Sequence, residues 1–162
     1  MFKGLVVRRA ITADALDLDA LLSEWFDWKP KSGRLESIRR AVRKRELLVA
    51  EVDSRVLGFI HYVIHEDIID GAPNSFISAF FVTESYRRRG VGRLLLEKAI
   101  TDSFARGAVG VGTSTIKASA RRLYERHHFK QTMGDIGEVF LELDVDEYLK
   151  NKKRRQYKPR RS

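Results

Sequence analysis

Apolar and polar positions along this chain switch period several times, the pattern of a domain that mixes helices and strands. Leu5 to Ala10 alternates as a strand, and Thr12 reads as the cap of a helix whose Ala15, Leu18, Leu21 and Leu22 recur at helical spacing. A second helix is predicted from Leu35 to Lys44, and Pro30 between the two can continue neither. Glu46 to Val52 and Val56 to His65 read as strands joined by a hairpin turn at Asp53-Ser54-Arg55. After a turn at Gly71 to Asn74, the segment Ser75 to Val82 is apolar on both faces, which predicts a central strand. A helix from Val91 to Arg106 presents Val91, Leu95, Leu96, Ala99 and Ile100 to the sheet and ends before Gly107. Ala108 to Thr113 is the next strand, Ser119 to His127 a helix, and Phe129 to Met133 with Glu138 to Leu143 a closing hairpin. The expected fold class is α/β (α+β), with a mixed, mostly antiparallel sheet of about seven strands and helices on both faces.

Composition narrows the chemistry. A chain of 162 residues is one ordinary domain. It has no Cys, which excludes a disulfide framework, a thiolate zinc site and a cysteine nucleophile. The four His residues have no metal-binding spacing: His127 and His128 diverge as neighbours in a helix, and His61 and His65, on one strand face, read as solvated positions. No metal is expected. No signal-peptide pattern and no apolar run of about 18 residues occurs, so a soluble, cytoplasmic protein without a membrane partner is expected.

The net charge of +9 is concentrated at one end. Residues 150–162 hold eight of the 31 Lys and Arg and no acid, which leaves 23 basic against 22 acidic residues in 1–149. We therefore expect a domain at 1–149 and a basic tail at 150–162, a solvated tail or helix extension. Weak, sequence-blind attachment of that tail to a polyanion is one reading, and simple solubilisation the other.

The chemistry-bearing segment is residues 81–104, where an apolar strand passes through a basic, glycine-containing turn into a helix. Gly90 and Gly92 remove the Cβ atoms that would hold a ligand away from the backbone, and the helix start adds unpaired N–H groups and its positive dipole end. Arg87, Arg88, Arg89 and Arg93 bring full charges to the same spot, so a pyrophosphate is the natural guest. The spacing fits neither a Walker loop, Gly-x-x-x-x-Gly-Lys, nor a Rossmann fingerprint, Gly-x-Gly-x-x-Gly.

Arg87-x-x-Gly90-x-Gly92 closely resembles the coenzyme A-binding signature Gln/Arg-x-x-Gly-x-Gly/Ala of the GNAT superfamily of N-acetyltransferases. Downstream, Ala120 to Phe129 resembles the family's second motif, a helix carrying Leu/Phe-Tyr that is followed by Gly-Phe. Tyr124 and Phe129 match; His128 stands in place of the usual Gly, and Lys117 where an Asn often stands. The resemblance implies acetyl-CoA as co-substrate, held by Phe81, Val82, Arg87, Arg88, Arg89, Gly90, Val91, Gly92, Arg93 and Tyr124. It also implies central strands that splay apart, with the backbone of Phe81 and Val82 pairing with the pantetheine amides as another strand would.

Acetyl transfer sets further requirements. A primary amine with a pKa of about 10.4 is protonated at neutral pH and must lose a proton before it attacks the thioester. The oxyanion that forms needs a donor, for which the Val82 N–H is the candidate, and the departing thiolate needs a proton, for which the resemblance implies Tyr124. The strand 75–82 offers Ser75 and Ser78 but no carboxylate, so Asp67 and Asp70, with Glu66, are candidates to draw the amine's proton through water. Trp25, Asp27 and Trp28 could hold a cationic acceptor by cation–π contact and ion pairing, or Trp25 and Trp28 could staple the first two helices. The resulting expectation is an acetyl-CoA-dependent N-acetyltransferase acting on a small-molecule or protein amine in a ternary complex. The alternative is an acyl-CoA-binding module without turnover, tethered to a polyanion by its tail. A homodimer is left open.

Overall fold

The computed structural model describes residues 4–26, 32–69, 71–134 and 137–156. Seven strands and five helices follow one another as β1 Val6–Arg9, α1 Ala15–Trp25, α2 Arg34–Arg43, β2 Leu47–Val52, β3 Arg55–Asp67, β4 Ala72–Val82, α3 Val91–Ala105, β5 Gly110–Thr115, α4 Ala118–Arg126, β6 Lys130–Met133, β7 Val139–Asp144 and α5 Val145–Gln156. The sheet order is β1-β2-β3-β4-β5-β7-β6, so the doubly apolar β4 is its middle strand. β1 with β2, β2 with β3, β5 with β7 and β6 with β7 all pair antiparallel. The chain divides into two compact units, Met1–Val63 with Ile77–Asp102, and Ile64–Phe76 with Ser103–Ser162.

In the first unit, alternation along the strands divides the core between two faces. Leu47, Val49, Phe59 and Phe81 pack with Ala15, Leu18, Leu21 and Ile38 of α1 and α2. On the opposite face Tyr62, fully buried, donates its hydroxyl to Asp102 of α3, and Arg9 of β1 also pairs with Asp102. Burial and the Asp102 carboxylate push the Tyr62 phenol up to about 12. β2 and β3 join through Asp53 and Ser54 with φ of 47° and 63°, the two left-handed residues of a tight hairpin. At Gly58 a Cβ would lie 2.6 Å from the Phe81 carbonyl oxygen, so a residue without a side chain lets β3 close against the end of β4.

In the second unit β7 buries Val139, Leu141 and Leu143 and exposes the residues between them, as its alternation requires. Leu141 and Leu143 lie opposite Thr113 and Val111 of β5. Val109 N–H donates to the Pro73 carbonyl at 2.9 Å, and Gly112 faces Ser75 and Phe76.

Several expected boundaries move, and for two of them the contacts give the reason. Thr12 does not cap α1: residues Thr12–Asp14 form a 3-10 turn, whose Asp14 carboxylate accepts from Ile11 N–H at 2.7 Å and from Arg8 at 2.7 and 2.9 Å. β4 begins at Ala72 rather than Ser75, because Pro73 needs only its carbonyl to join the ladder. The basic block takes the helix-extension form, one of the two readings of that segment. It continues α5 to Gln156, so the expected boundary between 149 and 150 falls within a helix. Asp144 caps that helix, accepting from Asp146 N–H at 2.7 Å, and Tyr148 stacks on Phe104 with ring centroids 4.8 Å apart.

Candidate active site

The turn from β4 into α3 is built from backbone conformation. After the 3-10 turn Glu84–Tyr86, Arg88 and Gly90 take φ of 58° and 86°, and α3 begins at Val91. The first N–H groups of a helix have no partner within it, so the start of α3 offers donors to a ligand. Gly90 accepts from Leu94 N–H through its carbonyl, which fixes its peptide as the helix start. A Cβ added at Gly90 would meet no atom within 4 Å, so the space above the turn is open. Val91 anchors the turn from below with a side chain that is wholly buried, while Arg87, Arg88, Arg89 and Arg93 are exposed. Arg89 lies over the Tyr86 ring at 6.0 Å and Arg93 beside Glu97 at 3.9 Å, so the open helix start is flanked by exposed cations, a setting that suits an anion.

Arg87 also organises the strand end. Its Nε donates to the Val82 carbonyl at 2.8 Å and its guanidinium lies 5.4 Å from the Phe81 ring centroid. Phe81 in turn stacks on Trp25 at 5.8 Å, and Trp25 contacts Phe26 at 4.4 Å and Phe59 at 6.2 Å. Trp25 is thus packed among aromatic rings at the end of β4, as a core residue would be, and its proposed partners Asp27 and Trp28 lie outside the described residues.

Of the candidate bases, Asp67 ends β3 and accepts from Ile69 N–H at 2.8 Å, the bond of a turn residue. Asp70 lies outside the described residues. A different group emerges on β3 and β4: Nδ1 of His61 lies 2.6 Å from Oγ of Ser78. His61, expected at a solvated position, is half-buried, and burial lowers its pKa below the usual 6.5. The spacing held the signal, since His61 is two residues from the core residue Phe59 and faces the core residue Leu47.

Tyr124, in the second unit, is 3% exposed. Burial pushes its phenol up while a hydrogen bond with the Thr113 hydroxyl pulls it back, so it is a neutral phenol at physiological pH.

The profile of the acetyltransferase (GNAT) family matches residues 15–129. The chain belongs to that family. No curated protein matches the sequence significantly. Among solved structures, the GNAT domain is similar to Arabidopsis thaliana Naa50 in complex with the bisubstrate analogue CoA-Ac-MVNAL, with a TM-score of 0.71 and 15% identity over 88% of this chain and 100% of that one. It is similar also to the ribosomal-protein-alanine N-acetyltransferase of Brucella melitensis, with a TM-score of 0.72 and 20% identity over 86% and 99% of the two chains. Arabidopsis thaliana NAA60 in complex with acetyl-CoA gives a TM-score of 0.72 and 19% identity over 87% and 99%.

Both departures from the GNAT motifs have a structural account. His128 takes φ of 69°, the left-handed conformation that glycine adopts without strain. Lys117 precedes α4 in extended conformation and its N–H bonds to the Thr115 hydroxyl at 3.1 Å, a contact that asks nothing of its side chain. Among the described residues no group of three or more His, Cys, Asp or Glu is arranged for a metal ion. No described helix is long and apolar enough to cross a membrane.

Proposed function

We propose that this acetyltransferase moves an acetyl group from acetyl-CoA to a primary amine by direct attack of the amine on the thioester. The observation that carries this reading is the β4–α3 turn, in which left-handed Arg88 and Gly90 lead into an open helix start flanked by the exposed Arg88, Arg89 and Arg93. The residues fit the coenzyme: backbone amides of Gly90, Val91 and Gly92 would hold its pyrophosphate, with charge from Arg88, Arg89 and Arg93. Acetyl-CoA supplies a thioester whose carbonyl an amine can attack.

The chain's own residues then have separate tasks. Arg87 braces the end of β4 through the Val82 carbonyl and Phe81, so that the Val82 N–H can serve as oxyanion donor from a fixed backbone. Tyr124, a phenol at neutral pH, is assigned to protonate the thiolate. Relatives of the fold include an enzyme named for ribosomal-protein alanine and one bound to a peptide-containing bisubstrate analogue, which favours the amine of a peptide or protein N-terminus over a small polyamine as acceptor. Release of coenzyme A thiol, followed over a panel of N-terminal peptides, lysine peptides and polyamines, tests the proposal. Turnover with a peptide α-amine is the expected result. Tight coenzyme A binding with no turnover on any amine would replace the enzyme with an acyl-CoA-binding module.

A further inference from the structure

We propose that His61 is the general base of this reaction, drawing the proton of the acceptor amine through the hydroxyl of Ser78. The inference deepens the amine-acetylation reading and rests on it. His61 and Ser78 belong to the same compact unit as the β4–α3 turn, and Ser78 lies on β4, four residues before Val82. Their side chains meet at 2.6 Å, Oγ to Nδ1, a distance suited to proton transfer. The pair also shares a face with the aromatic group at the strand end. His61 is paired with Leu47 and follows Phe59 by two residues; Phe59 packs on Phe81 and Trp25. Ser78 is exposed and His61 half-buried, so the hydroxyl is the member of the pair that an acceptor reaches.

The surroundings keep the imidazole neutral and ready to accept. Burial lowers its pKa, so at pH 7 it carries one proton, and with that proton on Nε2 its Nδ1 accepts from Ser78. The residues facing it across the sheet, Leu47 and Ser78, do not ionise. Along β3, Tyr62 is turned to Asp102 on the opposite face, and His65 lies four residues on. Glu46, buried, precedes Leu47 and alternates away from it. On α1 and α2, which cover this face, Asp17, Glu24 and Arg40 are exposed, Asp19 pairs with Arg34, and Glu36 pairs with Arg43 and Arg39.

The proton count closes. The acceptor ammonium passes one proton to Ser78 Oγ as Ser78 passes its own to His61 Nδ1, and the imidazolium releases it to water. The freed lone pair forms the C–N bond and the C–S bond breaks with its electron pair on sulfur. The second proton lost from nitrogen balances the one taken up by the thiolate.

The test compares wild type with His61→Gln and Ser78→Ala, reading kcat/KM against pH, coenzyme A affinity by calorimetry, and the His61 ring titration by NMR. Wild type should show an acid limb below pH 6.5. In His61→Gln, kcat/KM at pH 7 should fall by roughly 10²- to 10³-fold and the limb should disappear, while Ser78→Ala should lose about 10-fold, within the usual worth of general-base assistance or just below it. Coenzyme A affinity should stay within about threefold in both, since neither residue belongs to the phosphate turn. Removing the Ser78 hydroxyl takes away a donor to neutral Nδ1, so the His61 titration should move upward in Ser78→Ala. Unchanged rates and pH profiles in both variants, or an unmoved ring titration in Ser78→Ala, would overturn the assignment of the base; if His61→Gln does not fold, Ser78→Ala decides alone. A wild-type protein that binds coenzyme A but acetylates no amine would overturn the amine-transfer reading instead.

Discussion

Gly92 is the second residue of α3, where a side chain would rise among the amides assigned to the pyrophosphate. In Gly92→Asp a carboxylate at a helix start is itself favourable, so folding should be preserved while the carboxylate takes the amides and repels the phosphates. The coenzyme A dissociation constant should rise at least ~10-fold by calorimetry. An unchanged constant would remove the turn from the site. Tyr124 presents the opposite case, a hydroxyl with two possible uses. It is buried and bonded to Thr113, so Tyr124→Phe should cost about 1 kcal/mol of stability, the worth of one neutral hydrogen bond. If the hydroxyl also protonates the thiolate, turnover should fall roughly 10- to 100-fold, at or just below the low end for a general acid, because a thiolate is already a fair leaving group. Stability loss with full turnover would leave Tyr124 a structural partner of the Thr113 hydroxyl, with water as the proton source.

α4 ends in a motif that the side chains alone do not dictate. Phe129 N–H bonds to the Tyr124 carbonyl and His128 N–H to that of Glu125, the paired bonds of a Schellman cap, with His128 as its left-handed residue. The rings of Tyr124 and Phe129 close the cap at 5.3 Å. A side chain at a left-handed position costs about 1 kcal/mol relative to glycine, so His128→Gly should stabilise the fold by about that amount and raise the melting temperature by about 2–4 °C. A lower melting temperature would mean that the His128 side chain contributes a contact outweighing its backbone strain. This cap shows what the sequence could convey. The Tyr and Phe of the motif were legible, as were the periods of β4 and α3 and the glycines of the turn, because each follows from spacing. The substitution at 128 was visible but its conformation was not, since φ is decided by the bonds that Tyr124 and Glu125 accept. For α5 composition left a solvated tail and a helix extension open, and the start of the helix is marked by Asp144 followed three residues later by Glu147. The His61–Ser78 contact joins residues on two strands, and only the pairing of β3 with β4 brings them together.

At the scale of the whole molecule, the charge asymmetry of the chain becomes a question about α5. The helix is held at its start by the Asp144 cap, the Tyr148–Phe104 stack and Lys130–Glu147 at 3.5 Å, all before residue 150. Beyond that point the described contacts are an Asn151–Glu147 hydrogen bond at 3.0 Å and Lys152 over the Tyr148 ring at 5.9 Å, surface interactions worth little individually. Residues 151–162 carry seven Lys or Arg and no acid, so deleting them lowers the formal charge from +9 to +2 without touching the groups that anchor the helix. The truncated protein should therefore fold, with a melting temperature within a few degrees of the full chain, and acetylate a short peptide or small amine within about twofold of its rate. If the basic segment serves a polyanion, binding of the full chain to RNA or another polyphosphate should weaken steeply with salt and vanish on truncation, because such affinity comes from counterion release and not from shape. Loss of folded protein on truncation would show that the last turns of α5 support the domain. Polyanion binding that survives truncation would move the interaction to the arginines of the β4–α3 turn, where added coenzyme A should then compete with it.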